Sequence, residues 1–279
     1  MDGLLRLRFA HDGTIGRTIL AVCEQRPPLR VVRAFSTADG GALVHLHNVS
    51  GGVLGGDRLD VGIEVGAGAI AQLTTTGATR VYRSRRDSHI SSQTSDISVE
   101  EDGLLEFLPD PLIPFQGSRY RQQSKVRLAR GAGLFWWETI APGREALGEL
   151  FAYELLQLHL DIIAEGRPVA VERTRNEPAI RPLSSLARFG PFRYSSTLYI
   201  CRVGIEHWLP LEQRLAELAR HMTQPDDAMW GVSSLAANGL VVRALGNRGA
   251  SLVGGLVEFW KVAKRELYGR EAVPPRKVP

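Results

Sequence analysis

The sequence contains few cysteines, few lysines and no long apolar run. Its 279 residues include only Cys23 and Cys201, too few for a disulfide framework or a cysteine zinc site, which favours a reducing compartment. No segment approaches the roughly 20 apolar residues that a membrane-spanning helix needs. Arg6 and Arg8 interrupt the apolar stretch near the N-terminus, so we expect no signal peptide. These features predict a cytoplasmic protein with no membrane association.

Common catalytic and nucleotide-binding motifs are also missing. G-x-x-x-x-G-K-[ST], G-x-S-x-G and H-E-x-x-H do not occur, so the chain has no Walker loop of its own and no bound nucleotide is expected. Residues 66–71 fit G-x-G-x-x-A, but residues 72–77 are mostly poor helix formers. A dinucleotide site needs a helix at that point. We therefore interpret residues 66–71 as a turn between strands.

The basic residues are mostly arginine. There are 30 arginines and four lysines, and the net charge is +4. Arginine suits ion pairs and protein contacts because of its planar fork of donors. Nucleic-acid binding usually needs a denser basic stripe. We expect no nucleic-acid partner, although an arginine-rich binding module remains an alternative.

Alternating apolar residues dominate the first two-thirds of the chain. Residues 60–73, 96–108 and 125–137 each contain two period-2 strands around a short turn. The turns contain Gly68, Asp102 and Gly131, which tolerate a positive φ. Each unit is too small to bury its own apolar face, so its neighbours must cover it. The pattern predicts a mainly β fold, a layered or helix-like stack of β-hairpin units, with a β-sandwich as the alternative.

Helical patterns occur late in the chain. Apolar residues at helical spacing predict α-helices over residues 211–222 and 256–268. Residues 151–163 favour a strand with a bulge between Leu155 and Leu156, and the proline-containing tail 274–279 is predicted to lie outside any helix. Without a low-complexity linker, residues 1–279 are expected to form one domain with a few C-terminal α-helices.

Some polar residues suggest chemistry. Asp57 follows a segment with four glycines in six positions and can be a ligand or an acceptor in a turn. Glu138 follows two tryptophans, where burial would raise its pKa as in a general acid, or where it forms an edge of the core. His45 and His47 share one face of a strand and are either a metal pair or exposed histidines.

Three ordered motifs carry a family resemblance. The run G-G-x-x-G-G-D-x-L is matched by Gly51, Gly52, Gly55, Gly56, Asp57 and Leu59. The pattern T-T-x-x-x-T-[KR]-x-Y-R-S is matched by Thr74, Thr75, Thr79, Arg80, Tyr82, Arg83 and Ser84. The pattern L-E-[WF]-L-P is matched by Leu105, Glu106, Phe107, Leu108 and Pro109. With shorter matches between Leu29 and Pro275, the chain resembles the UreD (UreH) family of urease accessory proteins.

The resemblance implies a single UreD-like domain that is a maturation factor and not an enzyme. Its expected partners are UreF, the GTPase UreG and apo-urease, with a dimer inside the accessory complex. Nickel would be a transported cargo. The first candidate nickel-passage residue is Asp57, because it lies beside backbone made thin by glycine. By position in the family pattern, Glu138 and Glu172 are further candidates, with a structural ion pair as the alternative role for both. Nickel binds oxygen and nitrogen donors, so carboxylates along a wet passage would hold it and release it.

A different class of function remains open on the same residues. Asp57 and Glu138 could form a carboxylate pair for general acid–base work on a small molecule. A β scaffold can present such a pair as well as a passage. The two hypotheses differ in whether these side chains meet at one site.

Overall fold

A computed structural model describes residues 1–85 and 88–275. These residues form eighteen strands, two α-helices and a 3-10 helix at Glu145–Leu147. In chain order the strands are β1 Asp2–Asp12, β2 Arg17–Arg26, β3 Leu29–Arg30, β4 Ala34–Ser36, β5 Ala42–Asn48, β6 Arg58–Val65, β7 Ile70–Thr75, β8 Thr79–Val81, β9 Ser91–Val99, β10 Leu104–Phe107, β11 Leu112–Pro114, β12 Arg119–Leu128, β13 Gly133–Ile140, β14 Leu155–Ala164, β15 Arg167–Asn176, β16 Tyr194–Arg202, β17 Ala228–Ser234 and β18 Gly239–Gly246. The helices are α1 Leu209–Met222 and α2 Gly249–Tyr268. The predicted mainly β fold with late helices is confirmed.

Two sheets face each other. The seven-stranded sheet has the order β15-β14-β12-β9-β6-β1-β2. The eleven-stranded sheet runs β17-β18-β16-β13-β10-β7-β5-β3, with β4, β8 and β11 beside this path. Strands β6, β9, β12 and β14 pair in parallel in the first sheet, as do β7, β10 and β13 in the second. The chain thus winds repeatedly from one sheet to the other, which confirms the predicted stack.

The pairing within each unit differs from a hairpin. β6 pairs with β1 and β9, whereas β7 pairs with β5 and β10, so the two strands of a unit lie in opposite sheets. The turn residues Gly68, Asp102 and Gly131 have φ of 64°, 55° and 70°, as their residue types predict. The turns also stack, since Gly68 N–H donates to Glu101 and Asp102 N–H donates to Arg130. Residues 66–71 accordingly contain a turn and open no helix.

The helices form a third layer on the outer face of the eleven-stranded sheet. On β13, Leu134 and Trp136 belong to the core between the sheets, while Phe135 and Trp137 belong to the core under the helices. Both helices begin earlier than predicted. For α2 the reason is that the first turns contain glycines, one of which, Gly255, leaves room for a packed ring, so helical propensity is low where packing is good.

The prediction for residues 151–163 was partly wrong. Strand β14 begins at Leu155, and Phe151 has a φ of 52° in the preceding loop. The register shift lies between Ile162 and Ile163, where β14 faces β15, and not at Leu155. Phe151 and Tyr153 lie in the loop before β14 but pack against the hydrophobic core. In the sequence such residues cannot be distinguished from the apolar residues of a strand, which explains the error.

Other expectations stand as follows. Neither α-helix in the described part of the chain has the length and apolarity to cross a bilayer. Cys23 is exposed, Cys201 is buried, and both are free. Of the predicted non-helical tail, residues 274 and 275 are described and irregular; residues 276–279 lie outside the described residues. The single domain stays a prediction.

Candidate functional site

A cavity of about 320 Å³ lies between the two sheets. Inward-facing side chains of both sheets line it, because alternation along a strand directs every second residue inward. At one end its wall includes the exposed residues Gly51, Thr76 and Gly77 and the half-buried His47. The cavity therefore reaches the surface beside the glycine-rich loop.

The glycines of this loop have a structural reason. Gly52 has a φ of 156°, and a Cβ there would lie 2.5 Å from the Arg80 carbonyl oxygen. Val53 N–H donates to that same oxygen at 2.8 Å. The glycine-rich run thus lets the loop lie against β8, which belongs to the second motif, and this contact explains why the two motifs occur together.

A polar row crosses the seven-stranded side of the cavity. Gln93 and Ser95 on β9 are in register with Gln122 and Ser124 on β12, and all four line the cavity. Ser124 is 4% exposed, and its Oγ has no hydrogen-bond partner among the described residues. Buried polar groups without a protein partner are usually satisfied by water, so this wall suits a wet interior.

Glu138 faces this row from the opposite sheet. Gln122 Nε2 donates to Glu138 Oε1 at 2.6 Å. Burial raises the pKa of Glu138 to about 7; the Gln122 hydrogen bond opposes the rise, and the charge of Glu172 adds to it. The Trp136 indole N–H also lowers the pKa of Glu138. This N–H has no acceptor in hydrogen-bond geometry within the described chain. Glu138 is therefore a half-buried acid without a cationic partner of its own among the described side chains.

Glu172 lies in a second cavity of about 780 Å³ between β15 and strands β17 and β18. Arg243 Nη2 and the Tyr199 hydroxyl donate to Glu172 Oε2 at 2.7 and 2.8 Å. Burial acts to raise the pKa of Glu172, but these two hydrogen bonds outweigh it and hold the pKa below its usual range. Of the two glutamates, Glu172 is thus the ionised one, held by Arg243.

The two cavities share part of their walls. Glu138, Ile140 and Leu158 line both of them. Glu138 consequently stands where the inter-sheet cavity meets the edge cavity that contains Glu172. The sequence-predicted residues Glu138 and Glu172 thus line adjacent cavities that have wall residues in common.

Asp57 lies elsewhere. It is 1% exposed and lines neither cavity. Its Oδ2 accepts the Leu54 N–H at 2.9 Å, and its Oδ1 lies 2.7 Å from the Met1 amino group. This geometry matches the turn acceptor that the sequence also allowed. Asp57 and Glu138 do not share a site here, so the carboxylate pair of the enzyme hypothesis does not form.

The histidines do not form a conventional metal site. Burial lowers the pKa of His47, and the neighbouring His45 lowers it further. Among the residues described, no group of three or more His, Cys, Asp or Glu side chains could hold a metal ion. The single carboxylates along the cavities are therefore the oxygen donors that a passing cation would meet.

The sequence reasoning missed the polar row. Its signal was present: Ser95 and Ser124 continue the inward phase of Ile97 and Val126, which are fully buried. A polar residue at an inward position of a stacked strand indicates a polar interior. It was overlooked because hairpin pairing was assumed, and with hairpins β9 and β12 would not be adjacent.

Comparison with known families assigns this two-sheet chain to a class of proteins, the urease accessory proteins. A sequence model described as "UreD urease accessory protein" matches residues 1–279. The chain belongs to the UreD family.

Relatives of the same name cover nearly the whole chain. Urease accessory protein UreD of Herpetosiphon aurantiacus is 48% identical over 280 residues, 100% of this chain and 96% of that protein. The UreD proteins of Dechloromonas aromatica and Ralstonia nicotianae are 34% and 32% identical, over 98% and 99% of this chain and 92% of each relative. The resemblance inferred from the motifs is confirmed.

Proposed function

We propose that this chain is a non-catalytic urease maturation factor that binds apo-urease, UreF and UreG in the cytoplasm and lets nickel pass through its interior. The observation that carries the proposal is Glu138, the carboxylate that lines both cavities. Family membership supplies the context of urease maturation. A dimer within the accessory complex remains part of the proposal.

The donor chemistry supports transport over storage. Nickel binds oxygen and nitrogen donors, and thiolates would hold it more tightly. Neither Cys23 nor Cys201 lines the two cavities. A cation can thus engage Glu138 and move on, with Glu172 offering the next carboxylate once its bond to Arg243 exchanges.

The test is nickel delivery by the assembled accessory complex. Glu138→Gln keeps the size of the side chain and removes its charge. We expect the nickel found in urease to fall about tenfold, equivalent to about 1.4 kcal/mol, with assembly intact by co-purification. The matched control is Glu64→Gln, an exposed glutamate on the outer face of β6, which should load urease as the wild type does. Normal loading by Glu138→Gln would refute the passage.

A further inference from the structure

Gln122 holds one oxygen of Glu138. The Tyr120 hydroxyl donates to Gln122 Oε1 at 3.3 Å, and Gln122 Nε2 donates to Glu138 Oε1 at 2.6 Å. An ionised carboxylate only accepts hydrogen bonds, so it faces the nitrogen end of the amide, while the hydroxyl of the fully buried Tyr120 donates to the oxygen end. The amide N–H is thereby directed at Oε1.

The second carboxylate oxygen of Glu138, Oε2, lacks such a hydrogen-bond donor in the described part of the chain. Within the described residues, Glu138 Oε2 accepts no hydrogen bond of normal geometry. A carboxylate can bind a metal through one oxygen or through both. An N–H donor on Oε1 competes with bidentate binding, because the hydrogen bond occupies one of the two lone pairs of that oxygen and makes it a weaker second ligand for a metal ion.

We propose that Gln122 is a positioning residue that restricts Glu138 to one-oxygen engagement of a divalent cation, so that the cation is released and not trapped. The inference rests on the proposed function, since it specifies how the passage carboxylate is held. It assigns a purpose to an amide that the family motifs do not include.

The neighbouring strand contains a matched side chain. Gln93 is the register partner of Gln122 and lines the same cavity. Its Nε2 lies 3.4 Å from Ser95 Oγ and makes no hydrogen bond to Glu138. Gln93→Leu and Gln122→Leu therefore remove the same group from the same wall, but only the second frees the carboxylate.

The first experiment titrates the full-length chain with nickel alone at a series of pH values. Well above pH 7, we expect Gln122→Leu to bind nickel several-fold more tightly than the wild type or Gln93→Leu, since both oxygens become available. The pH at which nickel binding is half-maximal should be higher in Gln122→Leu, because the hydrogen bond that this variant lacks lowers the pKa of Glu138.

A purely structural role would not produce this combination. The other ionisable groups with influence on Glu138, namely Glu172, Tyr120 and Tyr199, are the same in both variants. Loss of packing would weaken binding at every pH, whereas the proposal predicts tighter binding at high pH with a higher midpoint.

The second experiment follows nickel transfer to apo-urease by the assembled complex at pH 8. Gln122→Leu should retain nickel and transfer it more slowly than Gln93→Leu. If the leucine variant does not fold, the near-isosteric Gln122→Met takes its place. Equal affinity and transfer in the Gln122 and Gln93 variants, with Glu138→Gln still impaired, would overturn the role of Gln122 and leave the passage standing. Normal transfer by Glu138→Gln would refute the passage itself.

Discussion

Glu106 and Glu138 lie on neighbouring parallel strands of one sheet and face opposite layers; Glu106 is buried and Glu138 is half-buried. Glu106 on β10 faces the helices, where Lys264 Nζ, Trp260 Nε1 and Gln72 Nε2 lie within 2.9, 2.9 and 3.0 Å of its carboxylate. Glu138 on β13 faces the inter-sheet cavity and receives an amide hydrogen bond.

The difference separates a carboxylate that is paired inside the fold from one that lines a cavity and has no cationic partner among the described residues. Lys264 is 2% exposed and also contacts Asp39 at 2.9 Å, so the charge of Glu106 is neutralised inside the protein. A buried charge without such a partner is costly. Glu138 avoids that cost by binding a proton near neutral pH, and a divalent cation could replace the proton.

The largest expected effect comes from breaking the Glu106 network. Lys264→Met leaves the buried Glu106 and the half-buried Asp39 without their cation, so the free energy of unfolding should fall by about 3–5 kcal/mol. Urea denaturation measures it. Lys261→Met on the same helix is the control, because Lys261 pairs with Glu258 at the surface and such pairs contribute about 0–1 kcal/mol. Equal losses in both variants would contradict the comparison.

A smaller effect is expected for Glu138, and it depends on pH. Its pKa in the folded protein is raised from 4.5 to about 7, so the folded state binds more protons than the unfolded state in this window. Stability contributed by this group is then lost as the pH rises from about 4.5 to about 7, by at most roughly 3 kcal/mol.

Glu138→Gln checks this sign, because glutamine does not titrate. The variant should gain stability relative to the wild type as the pH rises through that window, as followed by thermal unfolding at each pH. A difference between the two proteins that does not vary with pH would show that Glu138 has no raised pKa. A wild type that gains stability over the same range would reverse the assignment.

Substitution of Asp57 should have the smallest effect on the free energy of unfolding and no effect on nickel transfer. Asp57→Ala removes an acceptor from the Leu54 N–H and from the Met1 amino group, which should cost about 1–2 kcal/mol. If the role is only that of a turn acceptor, nickel transfer per folded molecule stays at the wild-type level. Impaired transfer with unchanged stability would instead restore the sequence prediction that Asp57 belongs to the passage.

Much of the fold was predictable because local chemistry determines it. Gly68, Asp102 and Gly131 each mark a turn with positive φ, and period-2 alternation marks the flanking strands. Pairing was less predictable. A short turn between two strands suits a hairpin and a crossing between sheets equally well in the sequence, and the choice depends on contacts with strands about thirty residues away.

The candidate site divides in the same way. Glu138 and Glu172 were named from the sequence through the family pattern, and the structure places them on adjacent cavities that share wall residues. Asp57 was named with them but lies in a tight turn. A carboxylate beside glycines can face a loop or a cavity, and only its neighbours decide which.

The order of residues along this chain was sufficient for the strand-rich class, the late helices and the membership of the UreD family, since turn chemistry, periodicity and ordered motifs are local properties. The contact of Gln122 with Glu138 and the place of that carboxylate in the walls of two cavities are decided only by the tertiary structure. Those contacts connect strands in opposite sheets, and the free energy that sets them comes from packing across the whole stack.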